Sequence, residues 1–217
     1  MVKKQELKKV YQIIKEGGLV LLKADIGYGL FGHSDESIRK MYEIKGRPSS
    51  NPCITIGNLD VLKDVATIKD ERLFTWISTI IKETTIAVIN SINKDSKLLR
   101  SLPDYVLEQS TNNGTVATFL NTGEFLDELV SRAFQDDFLI IGSSGNVSSF
   151  GNNYRFSDVQ PEILKGVDYY LDMGDAKYKN GPKLATTMVN LTNFTYKRKG
   201  VNFELIDSSL QGLLKTI

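Results

Sequence analysis

Two short stretches carry most of the side-chain chemistry in this 217-residue chain. The first is Lys45-Gly46-Arg47-Pro48. A compact ammonium and a planar guanidinium fork, one residue apart, suit the oxygens of a phosphate or carboxylate. Gly46 lets the chain turn and Pro48 forbids helix continuation, so the two cations are expected at a rigid corner, displayed at the end of a helix. On that stretch alone they could equally be solvated charges that complement a helix dipole. The second stretch, GSSGNVSSFGNN over 142–153, follows the apolar run Phe138–Ile141. Small hydroxyl, amide and glycine residues just past a strand can aim backbone N–H groups and side-chain donors at an oxyanion. The same composition also makes ordinary polar loops.

The surrounding pattern supplies elements that would hold these stretches in place. Val10, Ile13 and Ile14 share a face of an opening amphipathic helix. Leu19–Leu22 is a short buried-strand run, and a turn with Asp25, Gly27 and Gly29 follows, carrying Tyr28. Ser34–Tyr42 has helical spacing, with Ser34 or Asp35 as N-cap, and leads to the Lys45–Pro48 corner. Strand Cys53–Ile56, helices Leu59–Val65 (capped by Asn58) and Glu71–Lys82, and strand Ile86–Ile89 come next. Leu98–Leu102 reads as the start of a loop closed by Pro103-Asp104. The turn Asn112-Asn113-Gly114 introduces strand Thr115–Leu120. Phe125–Phe134 is helical and Phe138–Ile141 a strand. Pro161–Leu164 reads as a helical turn, Tyr169–Met173 as a strand and 177–182 as a polar loop. Thr186–Leu191, Phe194–Arg198 and Phe203–Ile206 read as terminal strands. Alternating strands and helices with consecutive late strands indicate an α/β fold with a mixed sheet, and no linker divides it, so one domain is expected over 1–217.

Composition narrows the function classes. A net charge of +1 gives no global field for nucleic acid, so any basic surface must be local. One cysteine excludes an internal disulfide and a cysteine-cluster metal site. The lysine-interleaved N-terminus is no secretory signal, and no run of 18 apolar residues is present, so a cytoplasmic protein that does not cross a membrane is expected.

Taken together, the blocks resemble the YrdC/Sua5 family. Lys45–Pro48 matches that family's KxRP corner, and Ser144-Gly145-Asn146-Val147-Ser148 is similar to its SxN signature. GPKLATTMVNL is similar to the family's GxPSTVVDL, with Thr186-Thr187 standing for Ser-Thr. Tyr196-Lys197-Arg198-Lys199-Gly200 resembles the strand that follows. The blocks run in family order from residue 8 to 207, and the chain looks like a short form that stops near the end of the common domain. The resemblance implies a single YrdC-like domain, a twisted mixed sheet flanked by helices with a basic cavity. It also implies synthesis of threonylcarbamoyl-AMP from L-threonine, bicarbonate and ATP, on the way to a modified adenosine in tRNA. Lys45, Arg47, Ser144 and Asn146 would then be catalytic and nucleotide-binding, with Thr186, Thr187 and Arg198 adding nucleotide contacts. Asp25 and Tyr28 would bind substrate. Mg²⁺ would ride on the nucleotide with no protein metal site, and no general base is needed for a carbamate nucleophile.

The departures are as informative. The family's PTDTxYGL reads Lys23-Ala24-Asp25-Ile26-Gly27-Tyr28-Gly29-Leu30 here, so both threonines are gone, Ile26 makes that wall apolar and Lys23 adds a charge. The WPGPLT block is reduced to residues 81–85, and the T-x-R-x-P strand lacks its arginine and proline. An altered acceptor is therefore expected. The rival readings are a non-catalytic module binding nucleotide or RNA, and carbamoyl transfer to a small molecule; partner proteins of the tRNA-modification pathway are also expected. Elsewhere His33 reads as a loop or helix-start residue and Cys53 as a small buried apolar one. Asp136-Asp137 reads as a solvated turn, Asp172 and Asp175 as structural, and Arg155 as a loop residue that could reach a phosphate.

Overall fold

The computed structural model describes residues 2–148 and 150–216. Met1, Ile217 and Ser149 of the small-residue loop therefore lie outside the described residues. In chain order the elements begin with helix α1 (Val2–Lys15), strands β1 (Val20–Ala24) and β2 (Gly27–Gly32), helix α2 (Asp35–Lys45) and strand β3 (Ile54–Ile56). Helix α3 (Leu59–Val65), strand β4 (Ala66–Thr67), helix α4 (Glu71–Ile80) and strand β5 (Ile86–Ile92) follow. Helices α5 (Lys97–Arg100) and α6 (Asp104–Ser110) lead to β6 (Thr111–Asn112), β7 (Thr115–Leu120), α7 (Glu124–Gln135) and β8 (Ile140–Ser144). The last elements are α8 (Pro161–Gly166), β9 (Tyr169–Tyr170), β10 (Met188–Asn190), β11 (Thr195–Arg198) and α9 (Phe203–Leu214).

Among the described residues the strands form one mixed sheet in the order β11-β10-β5-β7-β3-β8-β2-β1-β9, with β4 on β5 and β6 on β7. The pairs β1·β9, β10·β5 and β3·β7 are parallel and the others antiparallel. Helices α1 and α7 pack together, as do α4 with α9 and α2 with α8. A core running from Leu7 on α1 to Leu210 on α9 is continuous through both sheet and helices, so this is a single α/β domain with a mixed sheet flanked by helices.

Local chemistry explains the elements nearest the site. Ser34 caps α2 by accepting from the N–H of Ser37, and Ser37 returns a bond to the Ser34 backbone. The helix ends on Gly46 at φ 55°, where a side chain would be strained. Asn58 caps α3 by accepting from Asp60 and Val61.

The structure corrects three expectations. The glycine turn at 25–29 is a hairpin with only Asp25-Ile26 at its tip, because Ala24 pairs with Gly27 and Lys23 with Tyr28. Gly29 is small because the ring of Phe31 lies over it: a Cβ there would sit 2.6 Å from Phe31 Cζ. The loop expected from Leu98 is two short helices, capped by Ser96 and begun at Pro103, that bury Leu98, Leu99 and Val106. Phe203–Ile206 is not a strand but the first turn of α9. Ile206 and Leu210 are buried four apart on that helix, and a four-residue window is too short to tell the two periods apart.

Candidate anion-binding cleft

One face of the sheet floors a cleft of about 680 Å³, its open mouth included. Alternate positions supply the floor, with Ile54 and Ile56 on β3, Gly29 and Phe31 on β2, and Gly142 and Ser144 on β8. Phe119 on β7, Met188 on β10 and Arg198 on β11 extend it, and Ala24 and Ile26 close it at the hairpin tip. A second chamber of about 1200 Å³ adjoins it and shares Arg47, Pro52, Ile54, Met188 and Arg198. Among the described residues no acidic side chain lines either chamber.

The two arginines stand between the chambers, and main-chain oxygens fix both. Arg47 donates Nε to Asn51 (3.1 Å) and Nη2 to Pro52 (2.8 Å). Arg198 donates Nε to the carbonyl of Thr186 (2.7 Å). Each guanidinium is held by neutral acceptors, so neither charge is cancelled, and donors remain on each fork for a ligand. The Arg198 pKa is lowered, first by desolvation and then by Arg47, which marks the two cations as close enough to repel. An anion between them would relieve that repulsion.

Lys45 is not displayed at the corner. It is 1% exposed, and its Nζ donates to the carbonyls of Ser144 and Asn146 (2.6 Å for the latter). The N–H of Ser148 donates back to the Lys45 carbonyl (3.0 Å). The lysine thus straps the 144–148 loop from beneath. Burial, and then Arg47, pull its pKa down to about 7, with Cys53 opposing. Ser144 is exposed and lines the cleft. Asn146 is buried, donates Nδ2 to Val147 (2.7 Å) and leaves Oδ1 without a partner, and it is not among the lining residues.

The remaining expected positions divide. Thr186 lines the cleft, whereas Thr187 is fully buried, donating to the Val201 carbonyl (2.8 Å) and accepting from the N–H of Gly200 (3.0 Å). Tyr28 lines the cleft too, but its hydroxyl accepts from the N–H of Met173 and donates to Gly174 (both 2.9 Å). Burial, against the bond from Met173, lifts its pKa to about 12. Asp25 is not brought to the arginines. It lines a separate cleft with Glu6, Lys23, Glu124 and Asp172, its pKa raised by burial against the pull of Lys177 and Lys23. Arg155 lies 3.7 Å from Asp175 and lines none of these three clefts. His33 packs on Phe138, away from the site. Cys53 is buried against Met41 and Asp172 accepts from the N–H of Gly174, both as expected of structural residues.

Sequence reasoning missed Asn152, whose Nδ2 donates to the Ile26 carbonyl (3.1 Å) and so fixes the hairpin tip in the cleft wall. It also missed the second chamber, with Asn51, Asn112, Asn190 and Lys197. Asn112 and Lys197 stand in stretches read as a turn and a strand, but no motif groups these four, which converge only through the fold. Among the described residues no group of three His, Cys, Asp or Glu could hold a metal.

Comparison with known proteins gives the geometry a context. A family model named Sua5/YciO/YrdC and described as telomere recombination matches residues 12–200. No curated protein matches. P. abyssi Sua5 complexed with L-threonine superposes with a TM-score of 0.74 at 18% identity, over 95% of this chain and 57% of that one. A hypothetical protein of Streptococcus mutans UA159 gives 0.80 at 16% identity, over 94% and 90% of the two chains. E. coli YciO gives 0.69 at 15% identity, over 91% and 90%. At such identities the likeness is one of fold, and this chain spans little more than half of the Sua5 chain.

Proposed function

The chain belongs to the Sua5/YciO/YrdC family, and from that premise we propose that it is a threonylcarbamoyl-AMP synthase-like enzyme that uses ATP, bicarbonate and an amine. The amine nitrogen bonds to the carbon of bicarbonate, water departs, and a carbamate forms. A carbamate oxygen then attacks the α-phosphorus of ATP, the bond to the bridging oxygen breaks, and diphosphate leaves with the electron pair. Such a reaction asks the protein mainly for positioning and neutralisation of phosphate charge. The observation that carries the reading is the pair Arg47 and Arg198, held by carbonyl oxygens in a cleft that no carboxylate lines. Ser144 would donate to a phosphate or carbamate oxygen, and Lys45 would hold the loop that presents it. L-threonine, bound by a solved relative, is the first amine to try. The adenylate would serve N6-threonylcarbamoyl modification of tRNA adenosine in the cytoplasm, together with other proteins of that pathway.

The test is diphosphate release from ATP with bicarbonate and Mg²⁺, with and without L-threonine or other amines, in wild type and in Arg47→Ala. Amine-dependent release that the variant loses is expected. ATP binding without release under any amine would favour a non-catalytic nucleotide- or RNA-binding module. Absence of both binding and release would sink the proposal.

A further inference from the structure

The two chambers that meet at the arginines differ in chemistry. The outer, larger one is lined by hydrogen-bonding side chains, among them Asn51, Ser110, Asn112, Thr115 and Asn190, and suits a ribose and the edges of a base. The inner one is apolar beneath the arginines: Ala24, Ile26, Phe31, Ile54, Ile56 and Phe119. Its smaller volume fits what an adenylate carries on the other side of its phosphate. At the hairpin tip Ala24 and Ile26 form the wall, and the polar groups beside them are partly committed. Asn152 Nδ2 gives one of its two hydrogens to the Ile26 carbonyl, and the Tyr28 hydroxyl is spent on the 173–174 backbone. Thr186 Oγ1 turns to the carbonyl of Thr187. Ser144, the exposed hydroxyl, lies at the arginine and Lys45 side, with Oγ 3.5 Å from Lys45 Nζ.

We propose that the amine this cleft accepts carries an aliphatic side chain, and that Ile26 sets that preference. The inference rests on the synthase reading above and specifies its acceptor. A hydroxyl placed against Ile26 and Ala24 would lose its water to two side chains that cannot hydrogen-bond. An apolar wall discriminates against an isostere that adds a hydroxyl by about 10–100-fold and seldom by more. L-valine and L-threonine are the isosteric pair that isolates this one difference.

The experiment measures diphosphate release, as kcat/KM, with L-valine and with L-threonine for wild type, Ile26→Thr and Ile26→Val. Calorimetric binding of each amino acid to the ATP–Mg²⁺ complex of the protein runs in parallel. Valine is expected to exceed threonine by about tenfold or more in wild type and in Ile26→Val. The ratio should fall towards unity or invert in Ile26→Thr. A wild type that prefers threonine, or an Ile26→Thr variant of unchanged ratio, overturns the inference while leaving the synthase reading intact. Valine-selective binding without diphosphate release in any variant would keep the inference and defeat the reading. Binding of neither amino acid defeats the inference.

Discussion

The β1–β2 hairpin separates two clefts of opposite character, and residues 23–26 are dealt between them alternately. Lys23 and Asp25 line the acidic cleft, of about 940 Å³, while Ala24 and Ile26 line the arginine cleft. That is the period of two along a strand, carried through the tip of the turn. In the acidic cleft, charges are consumed locally. Lys23 Nζ donates to the carbonyls of Met173 (2.6 Å) and Asp175 (3.1 Å), and Lys177 lies 3.8 Å from Asp25. In the arginine cleft, two like charges are held together by carbonyl oxygens and no carboxylate answers them. A cleft that holds charges of both signs can balance them without a ligand. One that holds like charges close carries a repulsion that a bound anion releases.

The sharpest way to break this contrast is to empty the arginine cleft. Charge-assisted hydrogen bonds of this kind are worth about 1.5–3 kcal/mol each. Arg47→Ala with Arg198→Ala should therefore weaken ATP binding by about 100-fold or more, read by calorimetry, and each single change by about tenfold or more. Both forks sit at the surface of a cleft, so thermal unfolding should barely move. A double variant that binds ATP as wild type does would end the account of the clamp.

The next effect concerns the floor rather than the clamp. A Cβ on Gly29 would lie 2.6 Å from Phe31 Cζ, and one on Gly142 would lie 2.8 Å from Phe31 Cδ1. Gly29→Val should cost about 1–3 kcal/mol by overpacking, a drop of very roughly 2–12 °C for a chain of this size. Phe31→Ala beside it should recover part of that loss, because the two sites touch. Strictly additive losses would show that the ring and the glycine do not share the space.

How much of this was legible follows from the range of each signal. Lys45, Arg47 and Ser144 stand in short motifs, and the caps Ser34 and Asn58 act within three residues, so local reading found them. Which side of a strand a residue faces near a turn depends on register, and reading 25–29 as one glycine turn hid the separation of Asp25 from Ile26. The burial of Lys45 was equally hidden. Its acceptors, the carbonyls of Ser144 and Asn146, lie about a hundred residues away and belong to the backbone, which no motif displays. Asn152 and Lys197 reach the same clefts from different strands and loops, through a sheet order that composition does not encode.

A smaller effect separates Lys45 from the arginines. Its pKa falls from the lysine value of 10.5 to about 7 on folding, chiefly through burial. Between those values the unfolded chain binds the proton more, so the cost of burying the charge is full below about pH 7 and fades as pH rises towards 10. In Lys45→Met that cost is gone at every pH, but the carbonyls of Ser144 and Asn146 lose their donor at about 1–3 kcal/mol. Wild type should therefore gain stability over the variant from pH 7 to pH 10, measured by urea unfolding. A gap that stays flat over that range would mean the lysine is not buried as a charge.

The smallest expected effect lies across the hairpin, at Asp25. Burial raises its pKa above 3.8, with Lys177 and Lys23 pulling the other way. The folded chain then holds this proton at a pH where the unfolded chain has released it. The group's contribution to stability therefore falls as pH rises through that interval, and at pH 7 the carboxylate is a modest burden that its pairing with Lys177 offsets. Asp25→Asn keeps the shape and removes the charge. ATP affinity should change less than twofold, because the side chain opens on the acidic cleft and Ile26 occupies the other side. Wild type should gain on the variant as pH falls from 7 towards 4. A tenfold loss of ATP affinity in Asp25→Asn would mean that the hairpin does not insulate the two clefts, and that the acidic side sets the field felt by Arg47 and Arg198.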